Sequence, residues 1–339
     1  LNEKRGKFMI KAMYSGVSGM KANQTKLDVI GNNVANAGTT SFKKSSARIT
    51  DSFYQTVLYA SAPTAALGGT NLGQVGVGSK ISSINKDMTQ GNVQPTNRPS
   101  DLMIDGDGYL PVVRQGTVMY TRDGSFNLDT GFKAAAGPLQ GVKGGRLVNG
   151  DGYMLVGQIM TGKYDANKGT FTPDAKPAAG WPNEPVVIPL QSISPKDGTV
   201  QNVLEYNISK DGTIEFLLSD GQRTQFVYDI PDNSEVGVVP NPAIATDSGK
   251  LQKVQTYAFQ NPAGLDAEGG NLFKPSANSG DPQIAGATGN IIQGAIEASN
   301  VDIAEEFTEM IIASRSFQAN SKIISTSDEI LQEIINLKR

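Results

Sequence analysis

The chain has 339 residues, of which 19% are charged, and its formal net charge is −3. Such a balanced charge argues against nucleic acid or an anionic membrane surface as a partner, because both are bound through basic patches. The sequence contains no Cys and no His, which excludes thiol nucleophiles, imidazole bases, Cys/His zinc sites and disulfides. The length is sufficient for two or three domains of ordinary size.

The N-terminal segment carries a seven-residue pattern that predicts a helix. Its apolar residues follow steps of three and four, which is the narrow stripe of a coiled-coil seam. Gly16 and Gly19 weaken such a helix by about 1 kcal/mol each relative to Ala, although small residues also allow close helix approach. A short amphipathic helix packed on its own domain is the alternative. The predicted seam residues here are Ile10, Met13, Val17, Met20, Leu27 and Val34.

The same segment begins like a signal peptide but does not continue as one. Lys4, Arg5 and Lys7 precede apolar residues. Lys11 and the Ser and Gly residues after it interrupt the apolar run, and no clear cleavage site follows. We therefore expect no cleaved signal peptide. No apolar run approaches the ~20 residues that span a bilayer, so no membrane insertion is expected either.

The middle of the chain is predicted to be β structure. All 17 prolines lie between Pro63 and Pro282, and short alternating runs there are separated by turn dipeptides. Residues 37–74 are interpreted as a linker with a hairpin or short helix near 49–59. We expect an inner β domain from residues 75–157 and 250–294, and an outer β domain from residues 158–249. Hairpin signals are Asp105-Gly106-Asp107-Gly108, Asp123-Gly124, Asn149-Gly150-Asp151-Gly152, Asp197-Gly198, Asp211-Gly212 and Asp220-Gly221.

The C-terminal segment predicts a second, longer helix. Residues 295–339 contain no Gly and no Pro, and apolar residues recur there at steps of seven. A long helix with one apolar stripe needs a long partner, so we expect it to pack on the N-terminal helix and on other subunits. Together, residues 1–36 and 295–339 are predicted to form a helical domain. Its C-terminal seam residues are Ile303, Phe307, Met310, Phe317, Ile324 and Leu331.

Three patterns resemble reactive or ligand-binding sites only in part. The Asp105 and Asn149 turns resemble the start of a calcium loop, but the later ligand positions hold Tyr and Gly or Met. Residues 73–80 (GQVGVGSK) reverse the Lys and hydroxyl order of a phosphate-binding loop. Glu305, Glu306 and Glu309 lie within about one helical turn, where a solvated helix face is the common case. We therefore assign no catalytic, metal or cofactor residue.

Both ends of the chain resemble bacterial flagellar axial proteins, the rod and hook family. The N-terminal match covers residues 14–20 (YSGVSGM), 27–36 (LDVIGNNVAN) and 41–43 (SFK). The C-terminal match covers residues 294–302 (GAIEASNVD), 317–320 (FQAN) and 336–339 (NLKR). Within the family the hook branch is the best match, through residues 74–78 (QVGVG), 101–109 (DLMIDGDGY) and 121–126 (TRDGSF). Residues 1–8 have no counterpart and residues 158–249 resemble the family weakly.

The resemblance implies a structural protein without enzymatic activity. It implies a self-assembling subunit of the flagellar hook, a curved tubular polymer that acts as a universal joint and transmits torque from rod to filament. The implied partners are copies of itself, the distal rod protein, the hook cap, the hook–filament junction proteins and the flagellar type III export apparatus. The implied location is the extracellular hook and basal body.

Other functions remain open at this point. The distal rod protein shares both terminal signatures, but it is usually shorter and lacks a sizeable outer domain, which favours the hook. A flagellar wall-cutting hydrolase would need two acidic residues converging in a cleft. A secreted adhesin would bind its ligand through the outer domain without needing the terminal helices.

Overall fold

The computed structural model describes residues 2–63, 68–133, 143–165, 170–173, 183–195, 199–228, 249–285 and 289–336. It has one long α-helix at each end and antiparallel strands between them. The prediction of a mainly β protein with long terminal helices is thereby confirmed. Of residues 2–11, only the backbone is described.

The helices of the described chain are α1 (Asn2–Ala35) and α2 (Ile303–Asn336), with a short 3-10 helix at Pro262–Gly264. The strands are β1 (Ser45–Asp51), β2 (Tyr54–Leu58), β3 (Gly73–Gly76), β4 (Ser79–Lys86), β5 (Val93–Pro95), β6 (Leu102–Gly106), β7 (Leu110–Arg114), β8 (Thr117–Thr121), β9 (Asn127–Lys133), β10 (Lys143–Val148), β11 (Met154–Asp165), β12 (Thr170–Pro173), β13 (Asn183–Pro185), β14 (Val187–Pro189), β15 (Gln191–Ile193), β16 (Val200–Ile208), β17 (Ile214–Leu218), β18 (Arg223–Thr224), β19 (Phe226–Val227), β20 (Gly249–Val254), β21 (Tyr257–Ala258), β22 (Asp266–Gly269), β23 (Leu272–Lys274), β24 (Gln283–Ile284), β25 (Gly289–Gln293) and β26 (Ala295–Glu297).

The start of α2 is fixed by a side-chain cap. Asp302 Oδ1 accepts hydrogen bonds from the backbone N–H of Ala304 (2.8 Å) and of Glu305 (3.4 Å), two N–H groups that have no partner inside the helix. The domain boundary predicted at residue 295 is therefore too early. Ala295–Glu297 forms β26, which pairs with β5, because a segment without Gly or Pro can equally well be a strand.

The chain divides into two compact units. The helical unit comprises Leu1–Gly38, Lys43–Thr89 and Asn300–Arg339, and the β unit comprises Thr39–Phe42 and Gln90–Ser299. Residues 37–74, interpreted as a linker with a hairpin or short helix near 49–59, contain β1, β2 and the first two residues of β3. In the helical unit β1 pairs with β4 and β2 pairs with β3. The finer division into inner and outer β domains stays a prediction.

The described strands of the β unit form one large sheet and several smaller ones. The large sheet follows the order β14-β10-β11-β7-β8-β23-β22, with β9 on β10, with β12, β13 and β20 on β11, and with β19 on β20. Its long central strand, β11, pairs with five other strands. A second sheet has the order β15-β16-β17-β18, and the pairs β25–β6, β26–β5 and β21–β24 complete the unit.

The turn signals were only partly correct. The predicted turns at Asn149–Gly152, Asp211-Gly212 and Asp220-Gly221 each join two paired strands. The turns at Asp105 and Asp123 do not, because β6 pairs with the distant β25 and β9 pairs with β10. The hairpin between β7 and β8 turns instead at Gln115-Gly116, with positive φ at both residues. Asp197-Gly198 lies outside the described residues.

The hydrophobic core lies in the β unit. Phe126 and Phe216 are its largest fully buried side chains, and each stabilises the fold by roughly 1.5–3 kcal/mol through removal from water. The core members are Leu102, Ile104, Leu110, Val112, Met119, Phe126, Leu147, Leu155, Ile159, Val186, Val187, Ile188, Tyr206, Ile208, Ile214, Phe216, Val227, Val254, Leu272 and Ile291.

Candidate assembly surface

In the helical unit, α1 and α2 run antiparallel. Near the middle of α1, a Cβ placed on Gly16 would lie 3.1 Å from Ile324 Cγ1, in the second half of α2. Towards the end of α1, Asn33 Nδ2 donates to Glu306 Oε2 at 3.1 Å, early in α2. Lys26 of α1 forms an ion pair of 2.9 Å with Glu309 between these two points. The N-terminal helix is therefore a partner of the C-terminal helix within one chain.

The buried face of α1 consists mostly of small residues. Gly16, Gly19, Ala22, Ile30 and Asn33 are its buried positions among residues 12–35. A Cβ on Gly19 would come within 2.7 Å of Asn320 Nδ2. The two glycines cost helix propensity but allow the helices to approach closely, which was one of the two interpretations of these residues.

The predicted seam residues divide into two groups. Phe317 and Ile324, for example, are partly buried, with Ile324 against Gly16, whereas Ile303 and Phe307 are half-exposed. Ile10 lies on α1, but its side chain is outside the described part of the chain. The partly buried group is Met13, Met20, Leu27, Val34, Met310, Phe317, Ile324 and Leu331, and the exposed group is Val17, Ile303 and Phe307.

Two flanks of α2 expose apolar side chains beside the face that meets α1. The first flank consists of Ile303, Phe307 and Ile311, each at least 49% exposed. The second flank consists of Ile312, Ile323 and Ile330, each at least 45% exposed. At 100° per residue the two flanks lie on opposite sides of the α1-facing stripe. These six side chains leave apolar surface of α2 exposed on both sides of the face that α1 covers.

Asn33, from the LDVIGNNVAN motif, holds the start of β1. Its Oδ1 accepts the backbone N–H of Ser45 at 2.9 Å, and its Nδ2 donates to the Ser45 carbonyl at 2.8 Å. Nδ2 also donates to Glu306. The side chain is 1% exposed, so each of these bonds replaces water that burial removed. This motif residue therefore has a structural role.

Asn300, from the GAIEASNVD motif, has a similar role at the other end of the chain. Its Oδ1 accepts the backbone N–H of Lys44 at 2.7 Å, while its Nδ2 donates to the carbonyl of Asp87 at 2.9 Å. Both motifs resemble those of the family, but the sequence does not show these roles. The bonded backbone lies 12 residues from Asn33 and 256 and 213 residues from Asn300.

The three carboxylates at the start of α2 each have a partner inside the helical unit. Glu305 pairs with Lys44 at 3.0 Å, Glu306 accepts from Asn33, and Glu309 pairs with Lys26. The hydrogen bond to Glu305 is the main cause that raises the pKa of Lys44. Partly exposed pairs contribute about 0–1 kcal/mol each. These contacts orient α2 and give the carboxylates a structural role.

The other candidate sites also have structural explanations. Residues 73–80 belong to β3 and β4, so no helix follows the glycines as in a phosphate-binding loop. Among the described residues there is no cluster of acidic side chains suited to a metal ion. No described helix is long and apolar enough to span a bilayer. Trp181 lies outside the described residues.

Three family models match the chain. The model "Flagella basal body rod protein" matches residues 13–43, and "Flagellar basal body rod FlgEFG protein C-terminal" matches residues 292–337. Between them, "Flagellar hook protein FlgE/F/G D1 domain" matches residues 103–216. The two terminal matches cover α1 from residue 13 onwards with its following turn, and α2 with β26.

Relatives resemble the chain over nearly its whole length. The flagellar basal-body rod protein FlgG of Bacillus subtilis is 38% identical over 336 residues, covering 98% of this chain and 100% of that protein. The FlgG of Borreliella burgdorferi is 33% identical over 338 residues, with 98% and 100% coverage. The flagellar hook protein FlgE of the same organism is 28% identical over 444 residues, with 97% and 100% coverage.

A solved structure, the Helicobacter pylori flagellar hook protein FlgE2, aligns with 68% of this chain and 47% of its own chain, at 13% identity and a TM-score of 0.20. That similarity is too low to bear on the fold. The full-length relatives, together with the matches at both terminal helices, place the chain in the family of flagellar basal-body rod and hook proteins, which are structural components of the flagellum.

Proposed function

We propose that the protein is a self-assembling subunit of the flagellar axial tube, and specifically of its distal rod. The observation that carries self-assembly is the pair of apolar flanks on α2. Their six large side chains remain exposed although α1 already covers the face between them. Burying these side chains against neighbouring copies would recover about 25 cal/mol per Å² of apolar surface.

The exposed flanks also explain why this surface suits copies of the same chain. Each flank is apolar and on a helix that α1 supports from one side only. One copy can therefore contact two neighbours, one on each flank, and such contacts generate a helical polymer when they do not close into a ring. The twelve seam residues predicted from the sequence, from Ile10 to Leu331, remain part of this proposal.

The length of the relatives supports the rod. The two rod proteins align over 336 and 338 positions, so that they and this chain have nearly the same length. Alignment with the hook protein of Borreliella burgdorferi needs 444 positions, and that of Treponema pallidum needs 466. The hook relatives thus carry roughly 100 positions that this chain lacks. The presence of residues 158–249 does not separate rod from hook.

The flagellar hook is the second candidate, because the residue motifs of the β region first pointed to it. Under either candidate the partners are copies of the same chain, adjoining rod, hook, cap or junction proteins and the flagellar type III export apparatus. Under either candidate the subunit is exported without a cleaved signal peptide and functions in the extracellular part of the basal body and hook. No cofactor is required.

The assembly proposal is tested with matched charges on α2. Phe307→Glu places a charge on the first flank, and Ile323→Glu places one on the second. Thr308→Glu adds the same charge one residue from Phe307, at an exposed position outside both flanks. We expect sedimentation to show loss of polymer for the two flank variants and normal polymer for Thr308→Glu, with unchanged thermal unfolding of all three monomers. Normal polymerisation of both flank variants would refute the assembly proposal.

Electron microscopy of the polymer distinguishes rod from hook. The full-length chain should form straight, stiff tubes, and a chain lacking residues 295–339 should form none. Curved tubes from the full-length chain would favour the hook instead. Any sample without tubes is seeded with sonicated full-length polymer and imaged again, so that a missing nucleus is not mistaken for an inability to polymerise.

A further inference from the structure

Arg122 is a buried cation at the centre of the β unit and is 3% exposed. Its Nε donates to the Gly108 carbonyl at 2.9 Å and its Nη2 donates to the Gly106 carbonyl at 2.5 Å. Its guanidinium also lies over the ring of Tyr109, 5.4 Å from the centroid. A buried guanidinium needs a counter-charge as well as these neutral acceptors, because removing it from water costs several kcal/mol.

That counter-charge is Glu297, the last residue of β26, which is 1% exposed. Its Oε1 lies 3.7 Å from Arg122 Nη1 and accepts the backbone N–H of Gly91 at 2.7 Å. Gly91 must be a glycine here, because a Cβ would come within 2.0 Å of the Ala298 carbonyl oxygen. The carboxylate therefore joins Arg122 to the backbone at Gly91.

Ser41 joins the same pair from a third segment. Its hydroxyl donates to the Arg122 carbonyl at 2.7 Å, and its backbone N–H donates to the Glu297 carbonyl at 2.8 Å. It is 1% exposed and adopts a left-handed backbone with φ 54°, a conformation that non-glycine residues seldom hold without such anchors. A neighbouring bond from Asn271 Nδ2 to the Thr40 carbonyl, 2.6 Å long, supports this segment.

These three segments are the ones through which the chain passes between its two units. The unit boundaries follow Gly38, Phe42, Thr89 and Ser299. Ser41, Gly91 and Glu297 each lie within three residues of such a boundary. Every crossing of the chain is therefore tied, inside the β unit, to one buried ion pair.

We propose that Arg122 and Glu297 form a crossing lock, which makes the segments at Ser41, Gly91 and Glu297 open and close together as one cooperative element. Without the lock, each segment would open independently, since each has only a few backbone bonds of its own. With the lock in place, opening any one segment exposes a buried charge. The free-energy cost of that exposure applies to each of the three segments, which couples their opening. The lock does not depend on polymer formation.

The test is hydrogen exchange of single amides in the full-length monomer carrying Arg122→Met. The reporter amides are those of Ser41, Gly91 and Ala298, which bond to the Glu297 carbonyl, Glu297 Oε1 and the Asn92 carbonyl. None of these acceptors belongs to Arg122. We expect all three amides to exchange faster by a similar factor, roughly tenfold or more.

Two controls make the result specific. Glu297→Gln keeps an oxygen acceptor for Gly91 but removes the charge, and it should raise exchange of the same three amides; it also serves if Arg122→Met fails to fold. Glu268→Gln removes an exposed ion pair with Lys274 in the same unit and should change none of them. Exchange at Val203 and Leu218, in the β15–β18 sheet, should stay constant in every variant.

Independent behaviour of the segments would overturn the proposal. That outcome is a change at Gly91 alone in Glu297→Gln, with Ser41 and Ala298 unchanged. An equal rise at Val203 and Leu218 would also overturn it, because the pair would then support the whole unit rather than its crossing segments.

Discussion

The side chain of Asn320 lies directly over Gly19: a Cβ on Gly19 would come 2.7 Å from Asn320 Nδ2 and 3.0 Å from Asn320 Cγ. Gly16, one turn earlier, faces Ile324 in the same way, whereas a Cβ on Gly31 would have no atom within 4 Å. A side chain added to α1 would therefore clash with α2 at Gly16 or Gly19, but it would meet open space at Gly31.

Substitutions at Gly16 and Gly31 should change stability in opposite directions. Gly16→Leu forces a large side chain against Ile324, so we expect the helical unit to lose about 1–3 kcal/mol of unfolding free energy. Gly31→Ala adds helix propensity without a clash and should stabilise the unit by up to about 1 kcal/mol. Thermal unfolding followed by circular dichroism at a helix wavelength measures both. Unchanged stability of Gly16→Leu would contradict the close approach of α1 and α2 at this position.

Asn33→Asp should destabilise the helical unit more at neutral pH than at acidic pH. The substitution keeps an acceptor for the Ser45 N–H but removes two donated bonds and places a second carboxylate beside Glu306. We expect a loss of about 2–4 kcal/mol at neutral pH. The repulsion requires both carboxylates to be charged, so the loss should shrink as the pH is lowered.

The control for this pH dependence is Asn33→Ala, which removes all three of these hydrogen bonds without adding charge. Its loss of stability, read from urea unfolding midpoints, should be similar at neutral and acidic pH relative to the unsubstituted protein. If the two variants showed the same pH dependence, Glu306 would not face Asn33.

Three buried tyrosines should make the β unit sensitive to alkali. Burial is the main cause that raises the pKa of Tyr109, Tyr120 and Tyr206 from 10.0 to about 12. The raised folded-state pKa means that the native state holds these protons more tightly than the unfolded chain. Their contribution is therefore complete below pH 10 and is lost as the pH rises towards 12.

Tyr120→Phe isolates one of these contributions. Lysines also lose protons at high pH. They do so in both proteins, so their contribution cancels in the difference between the variant and the unsubstituted protein. We expect urea midpoints to fall less steeply between pH 10 and pH 12 for the variant. Parallel curves would mean that burial does not raise the pKa of Tyr120 in the native state.

Gly124→Ala should disrupt the β unit. A Cβ there would come 1.4 Å from the Leu102 carbonyl oxygen, and this neighbour is backbone rather than a movable side chain. We expect a loss of more than about 3 kcal/mol in chemical unfolding. Gly150→Ala is the matched control, since a Cβ there has no atom within 4 Å and its change should stay within about 0.5 kcal/mol.

Local patterns in the sequence predicted the elements better than their partners. The seven-residue repeats correctly indicated α1 and α2, because amphipathic spacing is a property of one segment. They did not indicate that α1 would bury Gly16 and Gly19 rather than Val17, since the choice depends on what α2 presents. Asp105-Gly106 shows the same limit. It predicts a local turn, but β6 pairs with β25, which lies far away along the chain, and a local turn signal carries no information about a distant partner.

The antiparallel pairing of α1 with α2 means that the helical unit can form only when segments from both ends of the chain are present. Asn33 and Glu306, which contact each other in this unit, are 273 residues apart. Because contacts at such a separation form slowly, we expect the helical unit to close after the intervening strands have folded. A chain that stopped before α2 could still fold much of its β unit, yet α1 would lack the surface that buries Gly16, Gly19 and Asn33. Only a finished polypeptide can therefore present the apolar flanks in an ordered form.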